Sequence, residues 1–427
     1  MDATKNSDAL RGSLRRQLDE ARRQTDAIFE IISPDAFYER PIDERHRVIF
    51  YLGHLEAFDW NMICRSSFGL KPIHQEFEQL FSFGIDPVDG NLPRDKPSDW
   101  PDARAVREYN VRARNAVDDC LAKSKFSNRG QLNVENGLIF WTAIEHRLMH
   151  LETLSCMFHW LPYEMKKQMS PPVADFQPRP AQEKTRVPAG EAKLGIHRSD
   201  HSTFGWDNEY EGHIVNVSEF QIDVYKVSNG DFLEFVEAGA YEEPSLWTEA
   251  DWKWINSHGV RHPKFWVKRQ HVWWYRAMFG EIPLPESWPV YVSHAEASAY
   301  ARWKEQTLPT EAEFHRAALG QKVRGNLGLY GWDPIAVHSN KDAKSDFGAV
   351  EMVGNGWEWT NSIFTPFAGF VRFPFYPGYS ADFFDNKHFV LKGASTRTAS
   401  RLTRPSFRNW FQPHYPHIYS GFRCVQH

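Results

Sequence analysis

Cysteine is scarce in this chain. Cys64, Cys120, Cys156 and Cys424 are the only four in 427 residues, widely spaced and with no Cys-x-x-Cys pair. That excludes a disulfide framework and a cysteine-built zinc ribbon, and predicts buried free thiols in a reducing cytoplasm. Net charge is also small, at -5. Lysine and arginine are scattered, apart from a run over residues 11–23 that reads as a solvated helix face, so no nucleic-acid partner is expected. No stretch of 18 apolar residues occurs, so no membrane span is expected. The first residues are polar and charged and lack the apolar core of an export leader. No internal repeat is visible.

Aromatics, by contrast, are abundant: 17 Trp, 15 Tyr and 31 Phe. Most fall after position 200, in clusters such as Trp273-Trp274-Tyr275, which predicts an irregular backbone covered by large rings. The length favours at least two domains. Residues 8–167 read as helical, with long helices over 13–32, 44–68, 103–124 and 133–160, and Val106, Tyr109, Val117 and Leu121 form a core stripe on the third. Gly and Pro break 72–101 into a long connection. Four long helices predict a bundle over 1–168. Residues 169–190 are proline-rich and read as a linker. From 191 to 427 the pattern turns to short strands and isolated helices: 215–222 alternates like one strand, 228–237 reads as a helix capped by Ser228, and 294–305 as another. The fold class is α+β.

The most informative pattern is Ile144-Glu145-His146-Arg147-Leu148-Met149-His150-Leu151-Glu152. Residues four apart share a helical face, so His146 and His150 present two imidazoles one turn apart. Two such rings can bind one metal ion. His54, in Gly53-His54-Leu55-Glu56-Ala57-Phe58-Asp59, is a third candidate if its helix packs on theirs. Glu152 is a candidate acceptor for a ring N–H. The same spacing also serves a buried polar histidine pair, and the residues alone allow either.

Four further segments occur in order: Phe204-Gly205-Trp206-Asp207-Asn208-Glu209, Leu308-Pro309-Thr310-Glu311-Ala312-Glu313-Phe314, Gly354-Asn355-Gly356-Trp357-Glu358-Trp359-Thr360, and Ser406-Phe407-Arg408-Asn409-Trp410 with Gly421-Phe422-Arg423-Cys424. On these the second half resembles the formylglycine-generating-enzyme-like domain (C-type-lectin-like, with little regular structure), in which most of these residues are structural. The catalytic cysteine pair of true formylglycine-generating enzymes is missing. The first half resembles a DinB-like four-helix bundle. The fusion resembles the ergothioneine-type sulfoxide synthases, whose three-histidine site maps onto His54, His146 and His150.

The resemblance implies an oxidoreductase using non-haem Fe(II) and O2. It would join a sulfur or selenium donor to C2 of the imidazole of hercynine, trimethylated histidine. In Tyr376-Pro377-Gly378-Tyr379-Ser380 it implies Tyr376 as proton donor and Tyr379 as part of the hercynine pocket; the residues equally describe two packing tyrosines. Asn409 and Trp410 match residues around the trimethylammonium and carboxylate. Departures concern the substrates. Met149 stands where a glutamine contacts hercynine, and Phe411 where an aspartate helps hold γ-glutamylcysteine. Asn91-Leu92-Pro93-Arg94-Asp95-Lys96 replaces the segment whose arginines hold a donor carboxylate. These losses, with Glu44-Arg45-His46-Arg47-Val48-Ile49-Phe50 and the His54 segment, resemble the selenoneine synthase branch, which implies a selenosugar donor. The alternative donor is cysteine or γ-glutamylcysteine. A metal-dependent thiol transferase and a non-catalytic binding module are readings from other classes.

Overall fold

The computed structural model describes residues 3–82, 93–126, 134–167, 177–200 and 202–427. The chain divides into two compact units, Met1–Met169 and Ser170–His427.

The first unit is built on helices α1 (Ala3–Phe29), α2 (Val48–Asp59), α3 (Gln75–Leu80), α4 (Ala103–Lys123) and α5 (Leu138–Trp160). Helix α2 is apolar all round, and every residue but Phe58 is buried, as befits the central rod of a bundle. It runs on as a wider π-helical segment, Trp60–Ser67, so the helix predicted over 44–68 changes pitch after Asp59. Helix α4 starts where Asp102 accepts a hydrogen bond from the Arg104 amide, and it buries Val106, Tyr109, Val117 and Leu121, the predicted stripe. Helix α5 begins after Asn136 and Gly137, both at positive φ, which turn the chain sharply into it.

The predicted connection over 72–101 contains structure that composition hid. Glu78, buried, accepts from the Ile73 and His74 amides and ties off the start of α3. Asn91 and Leu92, part of the segment singled out in the sequence, lie outside the described residues.

The second unit places short helices around small sheets. Among the described residues the strands are β1 (Lys184–Val187), β2 (Gly190–Leu194), β3 (His213–Val217), β4 (Phe220–Asp223), β5 (Trp266–Arg269), β6 (Val272–Ala277), β7 (Gly280–Pro283), β8 (Gly356–Ile363), β9 (Phe389–Ala394), β10 (Asn409–Phe411), β11 (Ser420–Gly421) and β12 (Val425–Gln426). They pair as β1-β4-β12, β10-β9-β8-β11, β2-β3 and β5-β6-β7. The helices are α6 (Asn229–Glu237), α7 (Glu249–Ser257), α8 (His294–Trp303) and α9 (Glu311–Ala317), with a final turn at Gly378–Ala381. Ser228 caps α6 as predicted, and Ser293 and Thr310 cap α8 and α9 by the same reciprocal bonding with the acidic residue three places on.

Two expectations are corrected. The strand read over 215–222 is two strands, because β3 pairs with β2 while β4 pairs with β1 and β12 in another sheet. The linker read over 169–190 is shorter. Residues 169–176 lie outside the described ones, but Arg179 pairs with Asp231, Gln182 donates to the same carboxylate, and Lys184–Val187 is strand β1. Prolines here stiffen a segment that docks on its own unit.

The four sequence motifs of this half tie to one another through buried ion pairs. Glu209 accepts from Arg404 Nε at 2.8 Å and Ser406 Oγ at 2.6 Å. Glu311 takes both arms of Arg408 at 3.0 Å each. Glu358 takes Arg423 Nε at 2.9 Å and Lys226 Nζ at 2.8 Å. All four cysteines are buried and none is in a disulfide.

Candidate metal centre and aromatic cluster

In the bundle, α2 carries His54 and α5 carries His146 and His150, and the structure brings all three together. One ring nitrogen from each lies within 4.8 Å of the other two. His146 Nε2 and His150 Nε2 are 3.1 Å apart. Two imidazole nitrogens bound to one metal at about 2.1 Å and a right angle would stand about 3 Å apart, so the spacing suits a shared ion.

All three rings are buried. His54 Nδ1 lies 2.8 Å from the Phe81 carbonyl oxygen. A carbonyl only accepts, so Nδ1 carries the proton and Nε2 presents its lone pair. That Nε2 is buried and has no hydrogen-bond partner among the described residues. Outer support of this kind is what a metal-binding imidazole needs. On His54 the acceptor is a backbone carbonyl at the end of α3. Gly53 admits it, since a Cβ there would stand 2.5 Å from two Phe81 ring atoms. Ring stacking sets the other orientations: Phe58 on His146 at 3.5 Å between centroids and Phe50 on His54 at 4.8 Å.

Burial pushes the His54 imidazole down to about 4, against the pull of the Phe81 carbonyl. Burial, then the neighbouring rings and Arg147, push His146 down as well; burial, His54, Arg45 and Arg147 do so for His150. All three are therefore neutral near pH 7, the form that binds metal. Three neutral, buried nitrogens fit a first-row divalent ion, and they leave coordination positions open. Met149 is half-buried on α5, beside His150 in sequence.

In the second unit, the predicted pocket residues fall mostly into one aromatic cluster. Tyr379 lies 5.5 Å from Tyr376 and 5.4 Å from Trp410, ring to ring. Sequence reasoning treated Trp206 as structural and did not single out Phe364, yet Trp206 stacks on Tyr379 at 3.9 Å and Phe364 on Trp410 at 4.2 Å. Asp207 and Asn208 hold the tyrosine segment through the Ser380 hydroxyl, which donates to Asp207 and accepts from Asn208. The Trp-Asp-Asn run of the first motif therefore positions this segment, a relation no spacing in the sequence announces. Asn409 Oδ1 accepts from the Trp410 amide at 3.0 Å. Phe411 stacks on Tyr415 at 5.3 Å.

No described helix is long and apolar enough to cross a membrane. Residues 171–427 match the sulfatase-modifying factor enzyme 1-like domain, and residues 17–154 match the DinB superfamily. A hercynine oxygenase of Mycobacterium tuberculosis is 33% identical over 251 residues, covering 54% of this chain and 58% of that protein. One from Mycolicibacterium smegmatis is 32% identical over 321 residues, covering 68% and 72%. A third, from Mycolicibacterium thermoresistibile, is 27% identical over 443 residues, covering 97% and 95%. The match thus spans just over half the length of the first of these relatives and nearly all of the third. By its two matched regions and these relatives, the chain belongs to the hercynine oxygenase family, a DinB-like helical unit followed by a sulfatase-modifying factor enzyme 1-like unit.

Proposed function

We propose that this chain is a non-haem Fe(II)-dependent enzyme that uses O2 to join a chalcogen donor to C2 of hercynine and to oxidise it in the same turnover. The observation that carries the reading is the convergence of His54, His146 and His150, all buried, in the helical unit of a chain related to hercynine oxygenases. Written in balance, hercynine C2–H, a thiol or selenol R–XH and O2 give the C2–X(=O)–R product and water. The iron would supply O2 activation and a site for the soft donor atom.

The residues of the chain have distinct tasks. His54, His146 and His150 would hold the iron as neutral ligands. Trp410 and Tyr379 offer ring faces to a trimethylammonium, which donates no hydrogen bond and is held by cation–π attraction. Asn409 would offer an amide to the polar end of the same substrate and Phe411 apolar surface; in the helical unit, Met149 would offer apolar surface next to His150. Tyr376 would deliver the proton, its phenol being a donor at neutral pH. Four buried thiols suit the reducing cytoplasm as compartment.

For the donor we favour a neutral, polyhydroxylated selenosugar and selenoxide chemistry leading to selenoneine. Arg40 and Arg47 near the start of α2 both pair with Asp95, which also accepts from Trp100 Nε1 at 2.7 Å. Both guanidinium groups are engaged by one carboxylate of the chain itself, which suits a donor that does not call on them for a carboxylate of its own. Names of the relatives favour the second reading, a sulfoxide synthase taking cysteine or γ-glutamylcysteine. Reconstituting the protein anaerobically with Fe(II) and then supplying O2, hercynine and all three donors in competition tests both. A selenium-bearing product in excess supports the first reading, a sulfoxide in excess the second, and no coupled product with any donor overturns both.

A further inference from the structure

The bundle contains a second buried polar cluster, immediately behind the histidines. Arg147, which follows His146 in the chain, is fully buried. Its guanidinium takes both oxygens of Glu56, Nη1 to Oε1 at 3.0 Å and Nη2 to Oε2 at 2.8 Å. The same Nη2 reaches Asp59 Oδ2 at 2.8 Å and the Leu55 carbonyl at 3.3 Å, and Nη1 reaches Thr25 Oγ1 of α1 at 3.3 Å. Glu56 also accepts from Arg114 Nε of α4 at 2.8 Å, and Arg114 binds both oxygens of Asp26 of α1 at 2.7 Å. Helices α2, α4 and α5 thus meet at one carboxylate, two residues past His54, and α1 joins through Thr25 and Asp26 on the two arginines.

We infer that Arg147 is a positioning residue for the three-histidine centre, acting through Glu56 and Asp59 to set the register of α2 against α5. The inference rests on the metal reading of these histidines. Three features carry it. A buried ion pair is poor glue, because desolvation of the charges offsets most of their attraction, and well-packed apolar residues would hold the helices as well. A bidentate pair is, however, directional: the planar fork accepts a carboxylate in one orientation, so it fixes rotation and translation of the helices it joins. Finally, the fork grips residues 55, 56 and 59 of α2 from a position adjacent to His146, so a register shift that parts His54 from the pair must first break it. Hydrophobic contact alone, being non-directional, imposes no such constraint on α2, whose surface is apolar on nearly every side.

The full-length protein is titrated anaerobically with Co(II) and Fe(II) against a chelator. The variants are Arg147→Lys and the charge-free Arg147→Met/Glu56→Gln/Asp59→Asn. Helical circular dichroism of the metal-free forms should match wild type. The triple variant should bind Co(II) about 10- to 100-fold more weakly, the range for loss of outer support to metal ligands. Its Co(II) visible bands should move, which a role confined to holding the fold would not produce. Lysine keeps the charge but not the fork, so Arg147→Lys should fall between the two. Folded variants with the wild-type affinity and spectrum overturn the inference. Should both be unfolded, Glu56→Gln, which opens the bidentate fork while Asp59 still pairs with Arg147, decides by the same titration: weakened binding supports the inference and wild-type binding overturns it. A wild type that binds neither metal overturns the metal reading along with it. A wild type that binds metal tightly yet makes no coupled product overturns the proposed reaction and leaves this inference standing.

Discussion

Replacing Gly53 by alanine adds one carbon next to a candidate metal ligand. In an isolated helix that change is favourable by about 1 kcal/mol, because alanine loses less backbone freedom. Here the new Cβ would lie 2.5 Å from Phe81 Cδ2 and Cε2 and 2.6 Å from Cγ. Carbon contacts rest at about 3.5–4.0 Å, so the ring must retreat by about 1 Å. It has no free space to enter: Phe81 is fully buried, with Phe77, Trp100 and Phe50 at 5.6, 6.3 and 6.4 Å. Overpacking of this kind costs about 1–3 kcal/mol, which makes the net effect neutral to about 2 kcal/mol destabilising. The larger effect falls on the metal. The Phe81 carbonyl holds the His54 Nδ1 proton at 2.8 Å, and a displaced ring takes its backbone along. Freed of that acceptor, His54 loses its fixed tautomer, and affinity should drop about 10- to 100-fold. Urea unfolding of the metal-free protein measures the first quantity, and chelator competition with Co(II) the second. The double variant Gly53→Ala/Phe81→Ala removes every clashing ring atom while keeping the carbonyl, and should recover most of the affinity. A Gly53→Ala protein that is about 1 kcal/mol more stable and binds Co(II) as tightly as wild type would refute the reasoning.

Three further outcomes are expected. In the metal-free protein the unfolded chain protonates His54 below pH 6.5 and the folded chain only near pH 4, so stability is full above 6.5 and declines as pH falls through that window, by roughly 3 kcal/mol from His54 alone; urea midpoints from pH 7 to 4 that stay level would contradict the burial argument. Arg408→Met strands the buried Glu311 carboxylate with only Lys392 at 3.7 Å, and should cost about 3 kcal/mol in urea unfolding, most of it regained in Arg408→Met/Glu311→Gln; a loss below about 1 kcal/mol would deny the pair its structural role. Tyr376→Phe should lower kcat for coupling about 10²-fold with hercynine KM unchanged, and a wild-type kcat would remove Tyr376 as proton donor.

Several parts of this molecule are legible in one dimension because their causes are local. An i, i+4 pair must share a helical face, so His146 and His150 could be read as neighbours at once. The Val106–Leu121 stripe and the Ser228 cap follow from helical period and from the orphan amides of a first turn. Where local signals were ambiguous, the reading slipped. Alternation over 215–222 is the same whether one strand runs on or two strands turn into different sheets. Prolines after 176 mark stiffness, which suits a docked strand as well as a free linker.

What the sequence by itself determined, then, is which residues are candidates for the chemistry: three histidines on two apolar helices, an aromatic-rich second half with its four motifs, and the family that these resemble. Only the tertiary structure decided how they work. It brought His54 to the other two, supplied the Phe81 carbonyl through the gap left by Gly53, ran the Arg147 fork from α5 to α1 and α2, and put the Trp206 ring on Tyr379. The physical reason is that metal binding, hydrogen bonding and stacking act over a few ångströms in space, whatever the separation along the chain. Period and capping encode a residue's face and its element; the partner on that face is chosen when the elements pack.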